Sequence, residues 1–413
     1  MCGRLFAGSL ACFVSLQLAA CGSATATRTG ASVAAVAAVA PQAAAGECAS
    51  TVAGTLGQVG ERIYHEAATG GDVAEAVHRV QNSSALRSAI RSNDAIAAGA
   101  ALRSVMLNQI VRIEVLRSGR VFAAAGSQEA IAPVSGAIPG TNARFILSVQ
   151  ADHGYLQVTQ QVTGAQIILL GGDRRLDSTI TGSPPSKVPI RGPLSSGGQS
   201  FQVFSLTGAA YPYGPLRVAM LVPSAAVSCP GSTAQARVET LGHVGERIYG
   251  EELHSRAVSS TIRHIEESAS FRRAVAAADP AATRAAIEGF FAQHIHVVRV
   301  RVTIGERLLV DVGGPFALAP LHGTLRSNGR VVGHFTTAIQ DDAGYLKLAH
   351  LFTGAQVLMR TAGRQVMGTL TPGPASVPAR GEVSYSGRTY QAYSFTGQAF
   401  PSGPLHLSLL IPA

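Results

Sequence analysis

The strongest constraint on this chain is that its sequence repeats itself. Leu56-Gly57-Gln58-Val59-Gly60-Glu61-Arg62-Ile63-Tyr64 returns as Leu241-Gly242-His243-Val244-Gly245-Glu246-Arg247-Ile248-Tyr249. Gly154-Tyr155-Leu156 and Thr163-Gly164-Ala165-Gln166 return as Gly344-Tyr345-Leu346 and Thr353-Gly354-Ala355-Gln356, and Pro215-Leu216 and Pro223 as Pro404-Leu405 and Pro412. The order is kept and the spacing hardly drifts. That is a tandem duplication of one domain, not a solenoid of short units. The copies are assigned to 51–223 and 237–412, with 224–236 as the linker, and each is long enough to bury its own core.

Each copy has the same internal order. Val52, Leu56, Val59 and Ile63 recur at helical spacing, as do Val238, Leu241, Val244 and Ile248. More helix is expected through Val258, Ile262, Ile265, Phe271 and Val275. Asp279-Pro280 then reads as an N-cap followed by proline at the first helical position. Beyond it the period changes to two: Val298, Val300 and Val302 alternate with Arg299, Arg301 and Thr303, Gly305-Glu306 turns the chain, and Leu308 to Val312 returns. After a Pro/Gly-rich loop, Arg330 to Gln340 is a third strand. A short helix follows, capped by Asp341 or Asp342 and ended by Gly354. A hairpin from Gln356 to about Leu370 and two strands, Tyr390 to Phe395 and Leu405 to Ile411, complete the copy. The fold class is therefore α+β, with N-terminal helices packed on one antiparallel sheet per copy.

Composition narrows the function more than the fold. The formal net charge of +9 invites a nucleic-acid reading, but the basic residues are scattered singly and in pairs such as Arg174-Arg175. Nucleic-acid binders gather charge into a patch interleaved with aromatics, so no nucleic-acid partner is expected. Only Lys187 and Lys347 among the 33 basic residues are lysine, which reflects coding bias rather than chemistry.

The N-terminus carries an address. Arg4 precedes an apolar run from Leu5 to Ala20 that is too short for a comfortable membrane span and reads as a secretory signal over 1–20. It ends Leu18-Ala19-Ala20-Cys21-Gly22, which resembles the bacterial lipoprotein signal. The resemblance makes Cys21 the lipidated first residue, held at the extracytoplasmic face of the cell membrane by its acyl chains. Residues 21–50, rich in Ala and Thr, are expected to be a tether. An oxidising exterior permits Cys48 and Cys229 to form a disulfide; two separate thiols is the other reading.

Gly329-Arg330-Val331-Val332-Gly333-His334-Phe335, then Gly344-Tyr345-Leu346 through Thr353-Gly354-Ala355-Gln356-Val357-Leu358-Met359, resemble the Cache family of extracytoplasmic sensor domains, which have a PAS-like sheet. The resemblance covers both copies. It implies a small-molecule ligand on the sheet and a membrane signalling partner, since this chain shows no second apolar run that would span a membrane and no output domain.

Catalytic signatures are missing. No P-loop, G-x-G-x-x-G, G-x-S-x-G or H-E-x-x-H is present, and neither a cofactor nor a metal is expected. His294-x-His296 is a weak metal pair, unmatched in the first copy. The repeated polar feature is Asp152-His153-Gly154-Tyr155, answered by Asp342-Ala343-Gly344-Tyr345. Asp152, Tyr155, Asp342 and Tyr345 could orient an amine or hydroxyl at the sheet edge; they serve equally as helix caps and buried aromatics, which recur in any two copies of a fold. Arg299, Arg301, Arg360 and Tyr393 are further ligand candidates if the ligand lies on the strands. The expectation is a non-enzymatic, ligand-binding, lipid-anchored sensor. The alternatives are an envelope structural or interaction lipoprotein without a pocket, and a hydrolase whose Ser, His and Asp meet only in the fold.

Overall fold

The computed structural model describes residues 39–413 apart from 107–109, 127–128, 183–184, 186, 228–230, 293–296 and 315. The first copy opens with a long helix, α1 (Val39–Thr69), and three short ones, α2 (Gly71–Asn82), α3 (Ser84–Arg91) and α4 (Ala95–Met106). Strands β1 (Arg112–Arg117), β2 (Arg120–Gly126), β3 (Ala130–Ile131), β4 (Val134–Ala137) and β5 (Ala143–Ser148) lead to helix α5 (Asp152–Thr163). Five more strands close the copy: β6 (Gln166–Gly171), β7 (Arg174–Ser178), β8 (Arg191–Ser196), β9 (Gln199–Tyr211) and β10 (Gly214–Pro223). The second copy repeats this plan with α6 (Thr233–His254), α7 (Arg256–Glu267), α8 (Ala269–Ala276) and α9 (Pro280–Ala292), then β11 (Arg299–Ile304), β12 (Arg307–Gly313), β13 (Ala317–Leu318), β14 (Leu321–Ser327) and β15 (Arg330–Ala338). Strand β16 (Gln340–Asp341) and helix α10 (Asp342–Thr353) precede β17 (Gln356–Thr361), β18 (Arg364–Gly368), β19 (Arg380–Tyr385), β20 (Arg388–Phe400) and β21 (Gly403–Pro412).

The α+β class and the duplication hold, but each copy builds two sheets where one was expected. A four-stranded sheet runs β2-β1-β5-β4, and its twin β12-β11-β15-β14. A larger sheet runs β3-β9-β10-β6-β7 with β8 also on β9, and its twin β16-β13-β20-β21-β17-β18 with β19 on β20. Period-two patterning marks a strand and its buried face without naming its partner. Helix α5 carries the chain from the small sheet to the large one, and α10 links β16, at the edge of the second large sheet, to β17. The Pro/Gly-rich stretch read as loop contains β13 and β14. Helix α1 also reaches back through residues 39–50 of the expected tether, where alanine, the strongest helix former, is frequent.

Most local expectations are met. Asp279 Oδ1 accepts the amides of Ala281 and Ala282 at 2.9 and 3.0 Å ahead of Pro280. Asp341, not Asp342, caps α10, accepting the Gly344 amide at 2.6 Å, and Gly354 ends it in the left-handed region at φ 70°.

The repeated motif is explained by how α1 and α6 lie on the large sheets. A Cβ at Gly57 would stand 2.1 Å from the Phe204 ring, and one at Gly242 2.1 Å from the Tyr393 ring. At Gly60 and Gly245 it would meet Met220 and Leu409 at 2.5 and 2.9 Å. Each glycine costs about 1 kcal/mol of helix propensity, offset by backbone packed directly on a side chain. The motif tyrosines strap the helices down: Tyr64 donates to the Ala209 carbonyl and accepts its amide, and Tyr249 does the same with Gln398.

The arginines of the motif cross to the other copy. Arg62 Nη1 donates to the Phe352 carbonyl at 3.1 Å, at the C-terminal end of α10, while the guanidinium of Arg247 lies against Gly164 at the C-terminal end of α5. A cation at a helix C-terminus is favoured by the helix dipole. The exchange is reciprocal, as across a two-fold interface. One continuous apolar core joins α1, α5, α6 and α10 with the inner faces of both large sheets. Each small sheet keeps its own core under its short helices. From residue 44 onward the chain is one compact unit. Among the described residues no helix is long and apolar enough to cross a membrane.

Two glycines of α6 should therefore respond oppositely to alanine. Gly242→Ala overpacks the Tyr393 ring and should cost about 1–3 kcal/mol. Gly250, with nothing within 4 Å of a Cβ, should gain about 0.5–1 kcal/mol on Gly250→Ala. Urea unfolding of the two variants checks the sign of each.

Candidate functional site

The repeated Asp and Tyr lie at the helix–sheet joint. Tyr155 and Tyr345 are wholly buried, and their hydroxyls donate to the Gly60 and Gly245 carbonyls at 3.1 Å each. Burial pushes both hydroxyls up from the usual phenol range. Asp152 and Asp342 each open their helix and accept the next residue's amide, at 2.7 and 2.9 Å. Burial, with help from Asp341, raises the Asp342 carboxyl. The tyrosine contacts match the buried-aromatic reading and tie those two side chains to α1 and α6, whereas the aspartates bond within their own helices and neither is the side-chain cap.

Arg299 and Arg301 come together with a partner that patterning did not reveal. Arg299 grips Asp311 through Nε and Nη2 at 2.8 and 2.9 Å, and Arg301 reaches the same carboxylate through Nε and Nη2 at 3.0 and 2.9 Å. Both guanidiniums lie over the Phe400 ring, 5.1 Å from its centroid. The cluster joins the small sheet of the second copy to its large sheet. The first copy has an equivalent joint: Arg112 sits 4.7 Å over Tyr211 and pairs with the buried Glu114, to which the Tyr211 hydroxyl donates. An aromatic followed by proline, Tyr211-Pro212 and Phe400-Pro401, was the signal that could have revealed both.

Tyr393 is also engaged. Its ring lies under Arg380, whose guanidinium is 3.4 Å from the centroid, and its hydroxyl meets His243 Nδ1 at 3.1 Å. Burial and the nearby Glu246 raise that hydroxyl. Arg380 is held in turn by Glu239 at 2.9 Å. Arg360 donates to the Pro374 carbonyl on the outer face of its sheet. The eight predicted ligand residues thus fall into separate groups, of which only Arg299 and Arg301 share one partner.

The outer faces of the two large sheets have diverged. In the second copy Arg360, Gln365 and Tyr385 all bond to the loop between β18 and β19, through Pro374, Leu370 with Gly373, and Pro372 respectively. They bring that loop down onto the sheet. The matching positions in the first copy are Leu170, Arg175 and Ser196. There Arg217, which pairs with Leu170 across the strands, donates to Val188 at 2.9 Å. A cavity of about 830 Å³ remains, floored by Ile168 and Leu170 and ringed by Arg175, Lys187 and Arg217 with Asp173. Three cations against one carboxylate over an apolar floor suit a small anion.

Cys48 is buried and disulfide-bonded. Cys229, Cys21 and the pair His294 and His296 lie outside the described residues. Among the described residues no three His, Cys, Asp or Glu side chains are placed to hold a metal. Nor does any serine hydroxyl there hydrogen-bond to a histidine.

No family model matches the chain, and no curated protein matches it. Among solved structures, the periplasmic domain of Vibrio cholerae LuxQ is similar over 43% of this chain and 100% of its own, at 11% identity and a TM-score of 0.31. The ligand-binding domain of the Pseudomonas fluorescens chemoreceptor CtaA, in complex with L-alanine, is similar over 42% and 96%, at 9% identity and 0.26. An extracellular ligand binding receptor from Desulfohalobium retbaense is similar over 50% and 47%, at 9% identity and 0.28. Scores this low carry no argument about what this chain binds.

The Asp311 joint makes a pH prediction. Burial alone would raise its carboxyl, but Arg299 and Arg301 outweigh burial and hold it below the usual aspartate value. A depressed pKa contributes stability above the unfolded value, about 3.9, and loses it as pH falls through the folded one. Asp311→Asn should therefore cost about 1–3 kcal/mol at pH 7, with the gap to the parent closing towards pH 2, as read by acid unfolding.

Proposed function

We propose that this chain is a lipid-anchored, extracytoplasmic, non-enzymatic sensory protein that binds a small anion in the first of its two Cache-like copies and reports to a separate membrane signalling partner. The observation that carries the ligand is the contrast between the outer sheet faces. In one copy Arg360, Gln365 and Tyr385 draw the loop onto that face. In the other the loop is tied through Arg217 to the Val188 carbonyl and packs Ile180, Val188 and Leu194 on the sheet, and beside it a cavity keeps Arg175, Lys187 and Arg217 in its lining. The anchor rests on Leu18-Ala19-Ala20-Cys21, and an oxidising compartment on the disulfide at Cys48. Cys229 is assigned as its partner, because Val227 packs against the core that includes Cys48.

A specific observation favours the second reading, an envelope structural or interaction lipoprotein. The inner faces of all four sheets are packed with apolar side chains against the helices, and the space beside Val52, Val222 and Val244 is about 120 Å³, below the range of small-molecule sites.

Thermal shift against short mono- and dicarboxylates, phosphate and sulfonates separates the two. The sensor reading expects stabilisation by at least one anion class. It also expects Lys187→Ala with Arg175→Ala to weaken binding roughly 10- to 100-fold, the scale of a charge-assisted hydrogen bond. No shift with any anion would leave the structural reading standing. Mass mapping of the unreduced protein should recover a peptide joined through Cys48 and Cys229, and a lipid mass on Cys21; Cys48 joined elsewhere would refute the pairing.

A further inference from the structure

A second cleft, of about 640 Å³, opens where the two copies meet. Helix α5 of the first copy contributes Gln157, Gln160 and Gln161, and the end of α6 contributes Glu251 and Glu252. Its volume falls in the range of small-molecule sites. Among the described residues neither glutamate side chain forms an ion pair or a hydrogen bond. Both residues are half-buried and line an open cleft, a setting in which a bound cation would favour the ionised carboxylates.

The duplication supplies an internal control. Because the copies exchange helices reciprocally, the same junction exists a second time, between α10 and α1. There Lys347, His350 and Leu351 replace the three glutamines, and Glu66 and Ala67 stand for Glu251 and Glu252. The fold is thus satisfied by alanine and leucine at positions where this cleft carries Glu252 and Gln161.

We infer that the cleft between α5 and α6 is a binding site for a small organic ammonium ion, with Glu251 and Glu252 facing its charge and the glutamine amide oxygens accepting its N–H groups. The charged groups around Glu252 are Glu251 beside it and Arg256 one turn beyond; α5 and the Ile339–Gln340 corner bring only neutral side chains. Burial, then Glu251, pushes the Glu252 carboxyl up to about 7. An ammonium ion requires the ionised form, so binding near neutrality releases a proton from Glu252. The site is independent of the anion cavity, since it shares none of its residues.

Calorimetry of the full chain with 1,4-diaminobutane and butylamine tests this, with butanoate as the control of opposite charge. Binding of an amine is expected at pH 8, at least 10-fold weaker at pH 6, and with a heat at pH 7 that changes with the ionisation enthalpy of the buffer. Glu252→Gln should abolish both the binding and the buffer dependence, and Gln161→Leu should weaken binding. In the absence of ligand the raised carboxyl opposes folding as pH rises above the unfolded value. Glu252→Gln, and Glu252→Ala as at the other junction, should therefore raise the melting temperature at pH 8 and leave it unchanged near pH 4. Amines that fail to bind the parent chain, or bind Glu252→Gln equally well, overturn the inference.

Discussion

Everything in this structure depends on how closely α1 and α6 approach the large sheets. Gly57, Gly60, Gly242 and Gly245 let backbone rest on Phe204, Met220, Tyr393 and Leu409, and only that depth lets Arg62 and Arg247 reach the helix ends of the opposite copy. Two copies of one sequence thus become one core. A single hydrogen bond to a half-buried guanidinium contributes little by itself. Its role is registration: the arginine is long enough to reach only when helix, sheet and neighbouring copy are all in place.

A duplicated fold is also an experiment on itself. Wherever the copies agree, as at Tyr155 and Tyr345 or Tyr64 and Tyr249, the residue serves the shared architecture. Where they differ, one copy shows what the fold tolerates and the other shows something added. By this measure the basic ring of Arg175, Lys187 and Arg217 and the polar cleft holding Glu252 are additions, whereas Arg360 belongs to the closure of a loop.

Much of the fold was legible because it rests on local chemistry. Apolar spacing located α1 and α6, Asp279-Pro280 and Gly354 marked helix ends, and the alternation from Val298 to Val302 marked β11. Strand partnership was not legible, since residues on β5 and β6 look alike until α5 is seen to carry the chain from one sheet to the other. Asp311 escaped notice for the same reason: its relation to Arg299 is spatial, and the one local mark of the joint is the proline that follows Phe400. The cavity was least legible of all, because a space is defined by what Leu170 and Ser196 fail to fill.

The claim that the copies act as one unit is tested most directly by hydrogen exchange on Arg247→Ala. The substitution lies in the second copy, yet its guanidinium rests on Gly164 in the first. The account predicts faster exchange at the C-terminal turn of α5 and in the neighbouring strand β6, with the small-sheet segment 71–148 unchanged. Faster exchange confined to residues 237–412, with α5 as protected as in the parent, would contradict it.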